Sequence, residues 1–260
     1  MNQFLLVDGA MVHAAITGSK LFPSTGAPWF TTLMPHQGLG LAGPLLLSRG
    51  PVAESARAAF DAEIGRLAGQ FPNRQHLSFI NTDESFDALA SHLRRFVYFG
   101  DDTGVPYGLR IADNRVLAYL PRVLTADQWN AMTSLVVRWQ AHDRTGHPVD
   151  LPLHAAPNEF KGHAAHLSLN DEQIARLIDE GEPDALLARL QLEPESMAAK
   201  KMDMHYGMAT RCVQHWRASG NQDRNALLSF GRRVFAGGMA TAGDRAAMQK
   251  LLQSAIAAVR

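Results

Sequence analysis

The chain has 260 residues, with 25 Lys+Arg against 25 Asp+Glu, 46% hydrophobic and 19% charged residues. That composition supplies a real core and excludes a disordered polyelectrolyte. A formal net charge of zero argues against a nucleic-acid coat and against a polybasic membrane-surface binder.

The single cysteine, Cys212, excludes an intramolecular disulfide and every multi-cysteine zinc pattern. Asp8 interrupts the apolar start, which lacks a basic n-region and does not read as a secretory signal. No stretch is apolar enough to span a membrane, so the expectation is a soluble, cytoplasmic protein.

Phe4-Leu5-Leu6-Val7 reads as a buried strand ended by Asp8-Gly9, and Pro44–Ser48 as a second. Pro51 opens a helix with Ala56, Phe60, Ile64 and Leu67 on one face. A strand at 76–80 is followed by a helix carrying Phe86, Leu89, Ala90 and Leu93. Further strands are expected at 96–99 and 107–111, around a turn at Gly100–Gly104 in which Asp101-Asp102 bonds local backbone. Thr125 and Gln128 form a capping box, with Leu124 and Trp129 placed for a hydrophobic staple. Residues 135–139 read as strand from their β-branched content.

The pattern lapses over 142–162, where Gly146, Pro148, Pro152 and Pro157 mark a linker. The rest reads as all-helical. Asn170 and Gln173 make a second capping box, with Leu169 facing Ile174, and Ile174, Leu177 and Ile178 form a buried stripe. Gly181 ends that helix, and another begins near Pro183 with Leu186, Leu187 and Leu190 inward. Pro194 suits the first turn of a helix bearing Met197, Met204, Met208, Cys212 and Trp216. Asn221 starts the next, which ends at Gly237-Gly238, and Asp244 starts the last. No internal repeat is evident. The expected fold is α+β: an N-terminal mixed lobe over 1–150 and an all-helical lobe over 151–260.

Catalytic signatures fail in turn. There is no nucleophile elbow, Walker loop or His-Glu-x-x-His. Gly38-x-Gly40-x-x-Gly43 precedes a strand instead of opening a helix after one. The His-rich stretch (His142, His147, His154, His163, His166, with Asp150 or Glu159) matches no familiar zinc spacing. A metal-dependent hydrolase using 142–166 is therefore the alternative reading, and no cofactor or metal is expected. Cys212 sits on the Met-bearing helical stripe and reads as a buried structural thiol.

The segment from Tyr107 to Gln128 is the most distinctive. Arg110, Asp113, Arg115, Val116, Leu117 and Gln128 fall on a pattern that resembles the bacterial type VI secretion effector chaperones. Leu5–Ala10, Gly43–Leu46 and Leu89–Val97 are similar to other parts of that family, as are Leu167–Leu169 with Gln173 and Leu177, and Ala209 with Phe230–Phe235. Asn114 departs from it, where the family usually has Pro. Asp113 and Asn114 are both competent N-caps for the helix that follows. The resemblance implies a non-enzymatic, cytoplasmic adaptor with two protein partners, an effector and the spike protein VgrG, and no nucleic acid or membrane partner. Arg110, Asp113 and Arg115 are the candidate partner-binding residues, although the two arginines can equally pair with Asp113 within the chain.

Charge is uneven along the chain. Residues 161–200 hold 4 basic and 8 acidic side chains, and residues 201–260 hold 9 and 3. Opposed charged surfaces of this kind suit the orientation of a protein partner.

Overall fold

A computed structural model describes residues 1–19, 21–22, 27–34, 37–101, 103–153, 167–192 and 198–259. The fold is α+β, with a helical C-terminal region. Contacts divide it into two compact units, Met1–Leu177 and Ile178–Arg260. The sequence pattern placed the division at 150/151. It falls later because Leu151, Leu167, Leu169, Ile174 and Leu177 all pack in the first unit's core.

The first unit is built on a six-stranded antiparallel sheet. Its strands are β1 (Asn2–Asp8), β2 (Phe30–Thr32), β3 (Pro44–Ser48), β4 (Leu77–Thr82), β7 (Arg138–His142) and β8 (Pro148–Asp150), in the order β2-β3-β1-β4-β7-β8. Side chains of β1 alternate between two cores: Phe4 and Leu6 on one face, Leu5 and Val7 on the other. Burial on both faces is why this central strand reads as an unbroken apolar run. Helices α1 (His13–Thr17) and α2 (Glu54–Ala68) supply Ile16, Ile64 and Leu67 to one core. The other core takes residues from α3 (Phe86–Leu93), α4 (Asn114–Leu117), α5 (Leu120–Val123) and α6 (Ala126–Thr133). There Trp129 and Trp139 stack at 6.3 Å. Their indole N–H groups donate to Pro152 O (2.7 Å) and Ser78 Oγ (3.0 Å), so neither buried donor is orphaned.

A second sheet joins β6 (Pro106–Gly108), β5 (Tyr98–Gly100) and β9 (Leu167–Ser168). The strand expected from 96 starts at Tyr98, because Arg94–Phe96 form a 3-10 turn. The strand expected at 135–139 begins at Arg138. The β-branched pair Val136 and Val137 lies in the bend before it.

The expected linker contains a hairpin, and with it a repeat the sequence reading missed. Asp101-x-Thr103-Gly104-x-Pro106 and Asp143-x-Thr145-Gly146-x-Pro148 make the same turn. In the first, Asp101 Oδ1 accepts from Thr103 N (2.9 Å), Thr103 Oγ1 (2.6 Å) and Val105 N (3.0 Å). In the second, Asp143 Oδ1 accepts from Thr145 N (2.9 Å), Thr145 Oγ1 (2.7 Å) and His147 N (2.9 Å). Gly104 and Gly146 take φ of +77° and +88°, the left-handed region glycine tolerates. Antiparallel pairing alternates bonded and outward-facing residues. The bonds Asp101 N–Val105 O and Asp143 N–His147 O make Pro106 and Pro148 the outward-facing residues of the outer strands. Each proline removes one N–H from an exposed sheet edge.

Helix α7 (Asp171–Arg189) is continuous, correcting the break expected at Gly181–Pro183. Pro183 cannot donate to Asp179 O. Arg217 does so instead, with Nη2 3.2 Å from that carbonyl and 2.7 Å from Asp179 Oδ1. Ile178 is exposed instead of joining Ile174 and Leu177 in the first unit's core. In the second unit α8 (Ala199–Ala218), α9 (Arg224–Gly243) and α10 (Arg245–Ala257) enclose Met208, Cys212, Trp216, Leu227, Phe230, Met248 and Leu252. Helix α9 begins after Asp223, its N-cap, and not at Asn221, whose Oδ1 accepts from Trp216 Nε1 and Asp223 N. Gly238, at φ 69° and ψ −164°, breaks its regular path where Gly237-Gly238 was expected to end it. Asp244 caps α10 as expected. Pro194 and Met197 lie outside the described residues.

The two capping boxes form and are bonded to each other. Thr125 N donates to Gln128 Oε1 (2.9 Å), and Gln128 N to Thr125 Oγ1 (3.2 Å). Gln173 N donates to Asn170 Oδ1 (2.9 Å). Gln173 Nε2 then donates to Gln128 Oε1 (2.6 Å) and Val123 O (3.0 Å), and Gln128 Nε2 to Ser168 O (2.7 Å). Gln128→Ala and Gln173→Ala should each cost about 1–2 kcal/mol. Because they share a bond, a double-mutant cycle in urea should give a coupling of about 0.5 kcal/mol or more. Strict additivity would show the two caps to be independent.

Candidate functional site

The site starts where β1 ends. Asp8 N donates to His76 O (2.8 Å), and Asp8 Oδ1 accepts from Met11 N (3.0 Å), closing the Asp-Gly-Ala turn. Gly9 N donates to Gly43 O (3.0 Å). A Cβ on Gly9 would stand 2.1 Å from Leu41 O and 2.6 Å from Gly43 O, so this close backbone approach needs glycine.

The second half comes from 109–115. Leu109, Ile111 and Ala112 are buried and fix the segment, leaving Arg110 between them to turn outward. Arg110 Nε and Nη2 donate to Asp8 Oδ2 at 3.1 and 2.9 Å, closing a contact across 102 residues of sequence. Nη2 also lies 3.3 Å from Asp113 Oδ2. Asp113 caps α4 through Arg115 N (3.0 Å) and accepts from the Arg115 guanidinium at 2.9 Å (Nε to Oδ1) and 2.8 Å (Nη2 to Oδ2). Arg115 Nη2 further reaches Met11 Sδ (3.7 Å).

The result is a neutral group of two carboxylates and two guanidiniums, layered by depth. The Asp8 and Asp113 side chains are 5% and 2% exposed, whereas Arg115 is 22% and Arg110 46% exposed. Burial pushes the Asp8 carboxyl up, beyond what the Arg110 charge pulls down, and the Asp113 charge adds to the rise. Burial acts on Asp113 in the same direction. There the hydrogen bonds and charge of Arg115, with Arg110 beyond, outweigh it and hold Asp113 below the usual carboxylate range.

Asn114, the residue that departs from the expected pattern, is buried and bonded. Its N–H donates to Gln75 O (2.8 Å), and Nδ2 to Leu77 O (2.7 Å) and Arg74 O (3.2 Å). It therefore clamps the 74–77 turn, in which Arg74 takes a left-handed φ of 51°. Of the two possible N-caps the structure uses Asp113.

Arg110, Asp113 and Arg115 thus come together, and they gather Asp8, which the sequence reading placed only in a turn. The available signal was an acid ending a fully apolar strand directly before a glycine. Gln128 lies elsewhere, in the linked capping boxes. Among the histidine candidates, His142 is buried and its Nδ1 is 3.1 Å from Leu77 O, while His147 is exposed beside Thr145. His154, Glu159, His163 and His166 lie outside the described residues, as does Asp102. Among the described residues no group of three His, Cys, Asp or Glu is placed to hold a metal ion. Cys212 is buried, and burial pushes its thiol up to about 12. Among the described residues no helix is long and apolar enough to cross a membrane.

Residues 3–131 match the family model of DUF4123, a domain of unknown function. All four members of the cluster fall within the DUF4123 segment. No curated protein and no solved structure matches the chain.

Two consequences can be measured. Asn114→Pro removes three hydrogen bonds and should cost about 2–4 kcal/mol in urea unfolding; a neutral effect would mean the 74–77 turn needs no clamp. The second is acid sensitivity. His76, bonded to Leu67 O (2.7 Å), and His92, bonded to Met132 O (2.9 Å), are both buried, and burial lowers each to about 4. The unfolded chain binds protons first, so their contribution is complete above about 6.5 and lost as pH falls toward 4. Each contributes about 3 kcal/mol over that window. Asp8 opposes them, since its raised carboxyl favours the folded state on protonation. The midpoint of urea unfolding should therefore fall between pH 6.5 and 4, and His76→Gln with His92→Gln should flatten the slope. An unchanged slope would assign the acid sensitivity elsewhere.

Proposed function

We propose that this chain is a non-catalytic adaptor that binds a type VI secretion effector in the cytoplasm and brings it to the VgrG spike. One observation carries the reading. Asp8, Arg110, Asp113 and Arg115, from two parts of the chain that resemble the chaperone family, converge on one pre-organised cluster with a guanidinium at its surface. Asp8 and Asp113 are too deep to meet a partner and act as anchors. Arg115 is largely engaged by Asp113. Arg110 is the contact residue: its Nε and Nη2 donate to Asp8, Nη2 also lies 3.3 Å from Asp113, and its side chain is 46% exposed, with no hydrogen bond from Nη1 among the described residues. An arginine held flat by buried acids loses little entropy on binding, which suits it to an interface anchor.

The test is co-purification of the full chain with the effector encoded beside it and with the C-terminal segment of VgrG. Arg110→Ala should weaken binding to one of them by about tenfold or more. Arg49→Ala, which removes the exposed Arg49–Asp61 pair, should leave binding unchanged. Failure to bind either partner, with all components folded, overturns the adaptor reading. Equal losses of thermal stability and binding in Arg110→Ala would make Arg110 structural.

A further inference from the structure

The turn between α3 and β5 carries two adjacent arginines that do different things. Arg94 reaches the edge of the six-stranded sheet: its Nε and Nη2 donate to Thr32 O (3.4 and 3.1 Å), and Nη2 to Thr31 Oγ1 (2.7 Å). Arg95 instead folds back on His92, three residues earlier. Its Nη2 donates to His92 Nδ1 and its Nε to His92 O (3.4 Å). Its guanidinium lies 5.6 Å from the centre of the Phe96 ring, and the His92 ring lies 5.2 Å from the same centre.

His92 is 4% exposed, and its other ring nitrogen, Nε2, is 2.9 Å from Met132 O of α6. A carbonyl only accepts and a guanidinium only donates. One form of the ring satisfies both: a proton on Nε2, a lone pair on Nδ1 and no charge. His76 supplies the comparison. It is also buried, and its Nε2 meets Leu67 O (2.7 Å), but its Nδ1 has no hydrogen-bond partner among the described residues. Of the two, only His92 has a cation donating to its lone pair. The two His92 contacts respond oppositely to a second proton. The bond to Met132 O strengthens, because its donor becomes charged. At Nδ1 an N–H then faces an N–H, with like charges in contact. Met132 O is fixed in the backbone of α6, whereas Arg95 is partly exposed and can turn to water. The outer contact is the one that yields.

We propose that Arg95 is an acid-released latch: it closes on His92 only while that imidazole is the neutral Nε2–H form, and protonation of His92 frees Arg95 from the Phe96 ring while the bridge from α3 to α6 holds. Burial is the largest cause that lowers His92 to about 4; the Met132 bond opposes it, and Arg95 is the one charged group that adds to it. The latch is separate from the Asp8–Arg110–Asp113–Arg115 cluster and independent of the role given to Arg110.

The experiment uses the full chain labelled with nitrogen-15. Long-range proton–nitrogen spectra at pH 7 should show His92 protonated on Nε2 and unprotonated on Nδ1. Arg95→Met keeps an apolar stem and removes the charge and the donor. It should raise the titration of His92 by about half a unit or more. The folded-state value then lies nearer the unfolded one, so the loss of urea stability between pH 6.5 and 4 should become shallower. In a His92→Gln background the same substitution should leave the slope unchanged. If Arg95→Met impairs folding, Arg95→Gln, which keeps a donor without the charge, serves, with a smaller change expected. A proton on Nδ1 at pH 7, a slope indifferent to the Arg95 variants, or an equal change of slope with and without His92 overturns the proposal.

Discussion

The Asp113 carboxylate organises the surface of the first unit. Its side chain is 2% exposed, yet it caps α4, takes two direct bonds from the Arg115 guanidinium and stands within reach of Arg110. A buried carboxylate is costly unless its lone pairs are filled, and here three groups fill them. Arg110 extends the network to Asp8, at the end of the central strand β1. One acid thereby couples the start of a short helix to the main sheet. Asp8 and Asp113 are shifted in opposite directions because the filling is unequal. Asp113 has a guanidinium nearly to itself, while Asp8 shares Arg110 and stands close to a second negative charge.

Around that cluster the chain satisfies its buried polar groups with few local devices used repeatedly. Asn114 clamps the strained 74–77 turn from the residue after the cap. Two capping boxes bond to each other through Gln128 and Gln173. Two Asp-x-Thr-Gly-x-Pro turns close two hairpins with the same bonds and place a proline at the same outward position. The last device blunts one edge strand of each sheet, β8 and β6. A partner that added a strand there would find a missing donor.

Sequence patterning was informative wherever a device is local. The strand at 44–48, the capping boxes at 125–128 and 170–173, the caps Asp113 and Asp244, and the helix spanning 86–93 all rest on side chains that act within about four residues. It failed where a distant group supplied what the local sequence lacked. Pro183 does not break α7 because Arg217, 34 positions away, donates to the carbonyl that proline leaves unpaired. The start of the expected linker is a hairpin closed by the local Asp143 turn, a local device the pattern missed, and Gly146 there packs against the 72–73 backbone, with an added Cβ only 3.0 Å from Asn73 Cα and Pro72 O. The division between units moved to 177/178 because the core of the first sheet claims residues well past the last expected strand.

The candidate site divides in the same way. The sequence by itself placed Arg110, Asp113 and Arg115 within six residues at a helix start, where the arginines could pair with Asp113 or face a partner. It also determined the charge polarity of the C-terminal helices, which is a matter of counting. Only the tertiary structure decided that Asp8 is the fourth member of the cluster, and which members are anchors and which faces outward. Depth depends on what packs above each residue, and those packing partners come from β1, the 74–77 turn and the 109–112 segment, which only folding brings together.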